Sequence, residues 1–404
     1  MIKQKHPEMK AQRLDRITTL PETIIETVLC LLPIEEAART SILSREWRYK
    51  WTTIPKLEFR RSTVKTSTEE GHLSDRKLLC DSSHARREEE MKRKLFYAIY
   101  QVLLLHQGPI QEFILTMNVH DTCFEVDQIL LHLSRKHMVL KLTLELNYFT
   151  LPLSLFSLHQ LTDLSLYGCQ IKHVPVFNGF GSLTSLSLEM VWISMESLLH
   201  LLSLCPSLKS FSLLTTSDLI INGGNNTTIM EFFECLPVIE HLTTSCYLSE
   251  YGLHVSVPEE LPKSLIHLKY FCFKEMMVEE SDEWTFLSLL IHCSPNLEKI
   301  KLEMLKDVDD CFEESITFEE YSDFWLEHLN ELEIEGFRNY KTELDFVKVI
   351  LARSPSLKKV VLRTWMHDKD KELETLTILL SAPRASPVKI IDFYIVNKNQ
   401  YKFV

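Results

Sequence analysis

One hydrophobic phrase, apolar-x-x-apolar-x-apolar, recurs eleven times from residue 110 to the C-terminal end of the chain. Clean copies read Leu161-Leu164-Leu166, Leu183-Leu186-Leu188, Leu208-Phe211-Leu213, Leu268-Phe271-Phe273, Leu297-Ile300-Leu302, Leu329-Leu332-Ile334 and Leu357-Val360-Leu362. Weaker copies begin at Ile110, Val139, Ile239 and Val388. The last two apolar positions alternate with an outward one, the period of a strand buried on one face. Phrases start 22 to 32 residues apart, room for a strand, a turn and a returning helix. Helix-compatible segments such as Met195–Leu204, Thr285–Cys293 and Leu344–Ala352 fill some of these gaps. Several close on a turn: Cys205-Pro206-Ser207, Cys293-Ser294-Pro295-Asn296 and Arg353-Ser354-Pro355-Ser356. A different pattern comes first. Leu20-Pro21 opens a helical face of Ile24, Ile25, Val28, Leu29 and Leu32, and Pro33 stops it by disfavouring helical geometry in the residue before. A second helix is predicted from Ile34 to near Thr40, its Glu35 and Glu36 near the positive end of the dipole. A third, around Leu43 to Trp51, would bring Leu43, Trp47 and Trp51 to one side.

A phrase of this form at a 20–30-residue spacing marks a leucine-rich-repeat solenoid, an α/β architecture with strands on the concave face and helices on the convex one. Three residues past some phrases stand Asn118, Asn147 and Cys169, side chains able to serve backbone groups in the turn; later repeats drop this ladder. The residues between the anchors, Gln111, Thr143, Ser165, Ser187, Ser212, Cys272, Lys301, Glu333 and Val361, are expected to point outward as a candidate binding face.

The chain has 404 residues, 45% hydrophobic, and a net charge of −12 placed unevenly. Residues 1–61 carry 12 Lys/Arg against 8 Asp/Glu, whereas 95–404 carry 24 against 41. An acidic repeat region is a poor match for nucleic acid, whose phosphates demand a basic face. The ten cysteines include no C-x-x-C pair, and Cys169, Cys205, Cys235, Cys272 and Cys293 sit in or beside the repeat phrases, where cysteine serves as a small hydrophobe. The N-terminus lacks a signal-peptide core, and the apolar stretch Phe96–Leu105 is too short to span a bilayer, so no membrane partner is expected and the glycosylation sequons at Asn225 and Asn226 are expected to be idle. Cytoplasm, nucleus or both is the expected compartment. Residues 62–94 are polar and charged and read as a flexible linker; within it, Arg86 to Lys94 reads as a solvated helix start rather than an import signal.

Asp15-Arg16-Ile17, Leu20-Pro21, Leu32-Pro33, Ala37, Arg39-Thr40-Ser41, Leu43-Ser44, Trp47-Arg48, Trp51 and Pro55 closely resemble the F-box of plant F-box proteins, with Glu46 as one departure. Gly336-Phe337, Leu344, Phe346-Val347, Ile350-Leu351, Pro355, Leu357-Lys358-Lys359 and Pro383-Arg384-Ala385-Ser386-Pro387 resemble the FBD module that closes many such chains. The whole resembles the plant F-box/FBD/LRR-repeat family. The resemblance implies a tail (1–14), a three-helix F-box (15–61), the linker (62–94), a curved leucine-rich-repeat solenoid (95–335) and an FBD module continuing it (336–404). It further implies a substrate receptor of an SCF-type ubiquitin ligase, its F-box docked on a Skp/ASK-type adaptor that links it to a cullin–RING scaffold, and its repeats holding an unknown target protein. Leu20, Pro21, Ile24, Ile25, Leu29, Leu32, Pro33, Leu43 and Trp47 are then the adaptor-binding candidates. The same residues must also supply the small unit's own core, so both roles are expected among them.

The stretch Glu303–Asp345 holds 15 Asp/Glu against three Lys/Arg and reads as a solvated loop rather than a steering element for a basic target. No G-x-S-x-G, Walker A or H-E-x-x-H pattern occurs, and no His/Cys group has zinc-finger spacing. No catalytic, cofactor or metal site is expected. The alternative to a ligase receptor is a repeat scaffold acting without a ligase.

Overall fold

The computed structural model describes residues 20–60, 81–117, 123–214, 227–245, 253–254, 265–277, 281–305, 325–364, 369–386 and 390–395. The chain divides into two compact units, Met1–Ile114 and Leu115–Val404.

In the first unit, α1 (Glu22–Cys30) starts on Pro21, whose carbonyl accepts from the amides of Ile24 and Ile25 at 3.0 and 3.2 Å. It stops before Pro33, and α2 (Ile34–Arg39) starts immediately after it. The third α-helix expected over Leu43–Trp51 does not form. Two 3-10 turns, Thr40–Ile42 and Trp47–Thr53, stand in its place. The cause is local: the Ser44 hydroxyl accepts from the Trp47 amide (3.3 Å) and the Ser41 hydroxyl donates to the Arg48 carbonyl (3.0 Å). Side chains that satisfy backbone groups in this way compete with helical pairing. Leu43 is therefore swung away from Trp47 and Trp51, which are buried with Ile25, Leu29, Ile34 and Ala37.

After β1 (Lys56–Arg60), α3 runs from Asp81 to Leu105 and so begins inside the segment expected to be a flexible linker. Its charged first turns hold an i,i+4 pair, Glu90–Lys94 at 2.8 Å, and its second half buries Leu95, Phe96, Ile99 and Leu103. Strand β2 (Glu112–Met117) lies beside β1, with the rings of Phe59 and Phe113 5.7 Å apart.

The second unit continues with α4 (Phe124–Lys136), β3 (Lys141–Thr150), β4 (Asp163–Ile171), β5 (Ser185–Glu189), β6 (Trp192–Ile193), α5 (Met195–Ser203) and β7 (Ser210–Leu214). Next come β8 (Thr227–Thr228), α6 (Ile229–Glu234), β9 (His241–Ser245), β10 (Leu253–His254), β11 (Tyr270–Met276), α7 (Ser281–Cys293) and β12 (Lys299–Met304). It closes with β13 (Glu331–Glu335), α8 (Lys341–Arg353), β14 (Lys359–Thr364), α9 (Lys369–Ser381) and β15 (Ile390–Ile395). The sheet runs β3-β4-β5-β7-β9-β11-β12-β13-β14-β15, so spatial order follows chain order; β6 pairs β4 and β8 pairs β10. Every adjacent pair along that path is parallel and the phrases are in register. Leu142, Leu164, Leu186, Phe211, Leu242, Phe271, Ile300, Leu332, Val360 and Ile391 form one row. Each apolar phrase is thus one strand. With side chains alternating, zero offset between strands puts all anchors on one side and stacks them into a continuous core.

The returns are less uniform than the strands. A 3-10 turn, Leu153–Ser157, follows β3, and after β4 a loop carries Phe177 and Phe180 onto Phe156, with ring centroids 5.0–6.1 Å apart. Among the described residues, helices α5, α6, α7, α8 and α9 make later returns, and in the middle repeats phenylalanines pack between sheet and helices: Phe273 lies 5.5 Å from Phe286, which lies 5.9 Å from Phe233.

Two residues past the last anchor of four strands stands one left-handed residue: Gly168 (φ 67) within β4, Met190 (φ 51) just after β5, Glu275 (φ 56) within β11 and Gly336 (φ 80) just after β13. At Gly168 space as well as φ demands glycine, since a Cβ there would stand 2.6 Å from the Leu146 carbonyl oxygen. Gly168→Ala is expected to lower stability by about 1–3 kcal/mol, the scale of enforced backbone strain, measured as a drop in the urea midpoint.

Cys169, Cys205, Cys272 and Cys293 are buried thiols, and Cys235 is half-buried. Burial pushes the thiols of Cys169 and Cys205 up to about 12, which keeps them protonated and inert.

Candidate docking surfaces

The nine adaptor-binding candidates separate by burial. Ile25, Leu29 and Trp47 are interior, at 4, 1 and 6% exposure, and belong to the small unit's own core rather than to any surface. Leu20, Pro21, Ile24, Leu32, Pro33 and Leu43 are exposed. With them stand apolar side chains that the sequence reading did not select as contacts: Val28, Leu31, Ile42 and Tyr49, with Leu31 80% and Ile42 87% exposed. The signal was present in α1 and its C-cap, where Ile24, Val28 and Leu31 (i, i+4, i+7) make an apolar stripe beside the buried Ile25–Leu29 pair. Among the described residues this stripe stays exposed. Lys50 pairs with Glu22 and ties the second 3-10 turn to the start of α1. Among the described residues of this unit, then, an apolar surface of large side chains surrounds a tryptophan-anchored core.

The second surface is the sheet face opposite the anchors. In register along it stand Thr143, Ser165, Ser187, Ser212 and Thr243, all half-buried hydroxyls. The row then changes to Cys272, Lys301, Glu333 and Val361. Cys272, Glu333 and Val361 are buried, which corrects their expected outward exposure. Gln111 is not in the row at all: it precedes β2 and its amide donates to the Pro55 carbonyl at 2.8 Å.

An ion-pair network closes this end of the face. Lys299 lies 3.4 Å from Glu331 and 3.1 Å from Glu333; Lys301 lies 2.7 Å from Glu303 and 3.5 Å from Glu335; Arg363 pairs with Glu333 and, at 2.8 Å, with Glu335. Burial pushes the Glu333 carboxyl up, but the hydrogen bonds and charges of Arg363 and Lys299 outweigh it and hold the group below its ordinary range. Burial likewise pushes the Lys301 ammonium down, and Glu303 with Glu335 reverse the shift. Charges so matched leave little unbalanced field for a partner to read. Among the described residues, no cluster of three or more His, Cys, Asp or Glu side chains could hold a metal, and no helix is long and apolar enough to cross a membrane. The acidic residues Asp307 to Glu320 lie outside the described residues.

The repeat model of the FBD-associated F-box protein At5g56370 matches residues 130–222, which include β3, β4, β5 and β7, and the FBD model matches residues 325–362. The F-box/FBD/LRR-repeat protein At1g13570 of Arabidopsis thaliana is 30% identical over 427 residues, covering 92% of this chain and 97% of that relative. The chain belongs to the F-box/FBD/LRR-repeat family. A second member from the same plant, At3g26920, is 25% identical and spans 92% of this chain and 94% of its own length. An internalin of Listeria monocytogenes overlaps 75% of this chain and 90% of its own at 14% identity and a TM-score of 0.33, a likeness too slight to bear weight. In this F-box/FBD/LRR-repeat protein the FBD match runs from Trp325 through β13 and α8 to Leu362 on β14, so it covers much of the ion-paired end of the ladder.

Proposed function

We propose that this chain is the substrate receptor of an SCF-type ubiquitin ligase. Residues 15–61 act as the F-box and dock on a Skp/ASK-type adaptor through Leu20, Pro21, Ile24, Leu32, Pro33 and Leu43, joined by Val28, Leu31 and Ile42. The adaptor connects the chain to a cullin–RING scaffold, and the repeats hold a target protein within reach of the charged ubiquitin carrier, in the cytoplasm, the nucleus or both. The chain contributes effective concentration and orientation, not bond-making groups.

The observation that supports this reading is the apolar surface that the described residues leave exposed around α1 and the first 3-10 turn. Leu31 and Ile42, at 80 and 87% exposure, present apolar surface that a docked partner would bury. Membership of a family whose relatives are named F-box proteins supports it further.

The test is co-purification of the full chain with a Skp-type adaptor, beside the double variant Leu20→Ala, Pro21→Ala. Both side chains are already exposed, so the variant is expected to keep the native circular dichroism spectrum while losing most of the adaptor. Retention of the adaptor at native levels would move the contact elsewhere on the unit.

A further inference from the structure

Charge is matched at the late end of the ladder but not at its start. Glu145, Tyr167 and Glu189 stand in register on β3, β4 and β5, two residues past the hydroxyls of Thr143, Ser165 and Ser187. Glu145 and Tyr167 are half-buried and Glu189 is exposed. At the opposite ends of these strands Lys141 lies 3.8 Å from Asp163. Among the described residues neither Glu145 nor Glu189 has an ion-pair partner, and Glu145 accepts from the Thr116 hydroxyl at 2.9 Å.

Three residues past each of these carboxylates comes an aromatic ring, Tyr148 after Glu145 and Trp192 after Glu189. The ring centroids are 4.9 Å apart, one carried by β3 and the other by β6, on either side of β4. Tyr148 reaches this place through a bulge. The pairing of β3 with β4 slips between Glu145 and Phe149, and Tyr148 sits within the slip at φ 57, a conformation that bulky residues rarely adopt. The residue is 64% exposed. The bulge thus turns a large ring outward on the edge that carries the two unmatched carboxylates.

Rings and carboxylates together suit a cation, which the aromatic quadrupole attracts and the carboxylate neutralises. The cation–ring contacts among the described residues lie elsewhere, with Arg353 5.5 Å from the Trp325 ring centre and Arg363 6.0 Å from that of Tyr394. Lys172, exposed two residues past Gln170, is in neither. Neighbouring strands stand about 4.8 Å apart, which sets Glu145 and Glu189 roughly 10 Å apart with Tyr167 between them. An extended chain covers about the same distance in three residues. The adjoining serine and threonine row offers that chain hydrogen-bonding groups without bulk.

We propose that this edge of β3, β4 and β5 docks an extended basic segment of a protein, its arginine or lysine side chains on Glu145 and Glu189 and against the Tyr148–Trp192 rings. This deepens the receptor reading and rests on it only for the segment's role as a ligase target. A nucleic acid would bring its phosphates onto the same carboxylates, so the occupant is protein. The β12–β14 end, whose charges are paired with one another, offers no comparable field.

The experiment is fluorescence anisotropy of the full chain with a labelled twelve-residue peptide carrying arginine at every third position and serine elsewhere. The same peptide with citrulline for arginine is the comparison. Saturable binding of the arginine peptide alone is expected. Glu145→Gln with Glu189→Gln is expected to weaken it roughly fivefold or more. Tyr148→Asn, which tolerates the left-handed backbone and removes the ring, is expected to weaken it roughly threefold. Glu196→Gln with Glu234→Gln, which removes two exposed carboxylates from α5 and α6, is expected to change nothing. Hydrogen exchange on the native chain then locates the peptide, with added protection expected over 145–150 and 189–193. Absent or non-saturable binding, equal binding of both peptides, an equal loss in the two double variants, or protection confined to other segments overturns the proposal. The exchange result decides the matter if a variant does not fold. All of these substitutions lie outside 15–61, so adaptor co-purification is a separate readout. Its failure beside intact peptide binding sinks the receptor reading and leaves the docking site standing.

Discussion

Leu31→Asp combined with Ile42→Asp is expected to lower adaptor affinity about a hundredfold or more and leave the fold intact. Each side chain is four-fifths or more exposed in the free chain, so its replacement removes almost no internal packing. Surface changes of this kind stay within about 0.5 kcal/mol of native stability. Burying a large aliphatic side chain against a partner contributes about 1.5–3 kcal/mol, and a carboxylate in its place adds a desolvation penalty. Two such losses amount to at least about 3 kcal/mol, a hundredfold or more in Kd. Titration calorimetry with a purified Skp-type adaptor gives the affinity, and thermal melting of the free variant gives the control. Affinity within a few-fold of native would place the docking surface away from the end of α1 and the first 3-10 turn.

Phe273→Ala is expected to cost the repeat unit about 3–5 kcal/mol, the range for emptying a buried aromatic site. Phe273 is 1% exposed on β11, 5.9 Å from Phe271 and 5.5 Å from Phe286 of α7, and Phe286 continues to Phe233 of α6. Because each repeat is stabilised through its neighbours, weakening one in the middle also loosens the coupling between the strands before and after it. Urea unfolding followed by circular dichroism is expected to show a lower midpoint, with a broader transition if the two halves uncouple. A shift worth less than about 1 kcal/mol would mean that the phenylalanine row is not a shared core.

The strands were legible because their signal is local and periodic. Anchors such as Leu164, Leu186 and Phe211 carry both the alternation that makes a strand and the spacing that aligns it, so phrase and strand coincide along the ladder. Helices α5, α7 and α8 overlap the segments expected from their apolar spacing, although α7 starts a turn earlier, at Ser281. What was not legible depends on side chains that meet only in three dimensions. Leu43, Trp47 and Trp51 have helical spacing, but the hydroxyls of Ser41 and Ser44 take up the backbone groups and turn Leu43 outward. Glu333 reads as a surface residue by alternation, yet Lys299 and Arg363 from neighbouring strands close over it. Glu343 falls in the acidic stretch that reads as a solvated loop; it stands instead in the first turn of α8, buried by a loop geometry that sequence spacing does not reveal. The helix expected to start among Arg86 to Lys94 does form, but α3 begins earlier, at Asp81, in residues that read as linker.

The measurement that bears most directly on the receptor reading is calorimetric titration of the full native chain with a purified Skp-type adaptor, repeated at several temperatures. The account predicts saturable one-to-one binding with a negative heat-capacity change, the mark of apolar surface leaving water. No heat and no co-elution from a chain with an intact circular dichroism spectrum would contradict it.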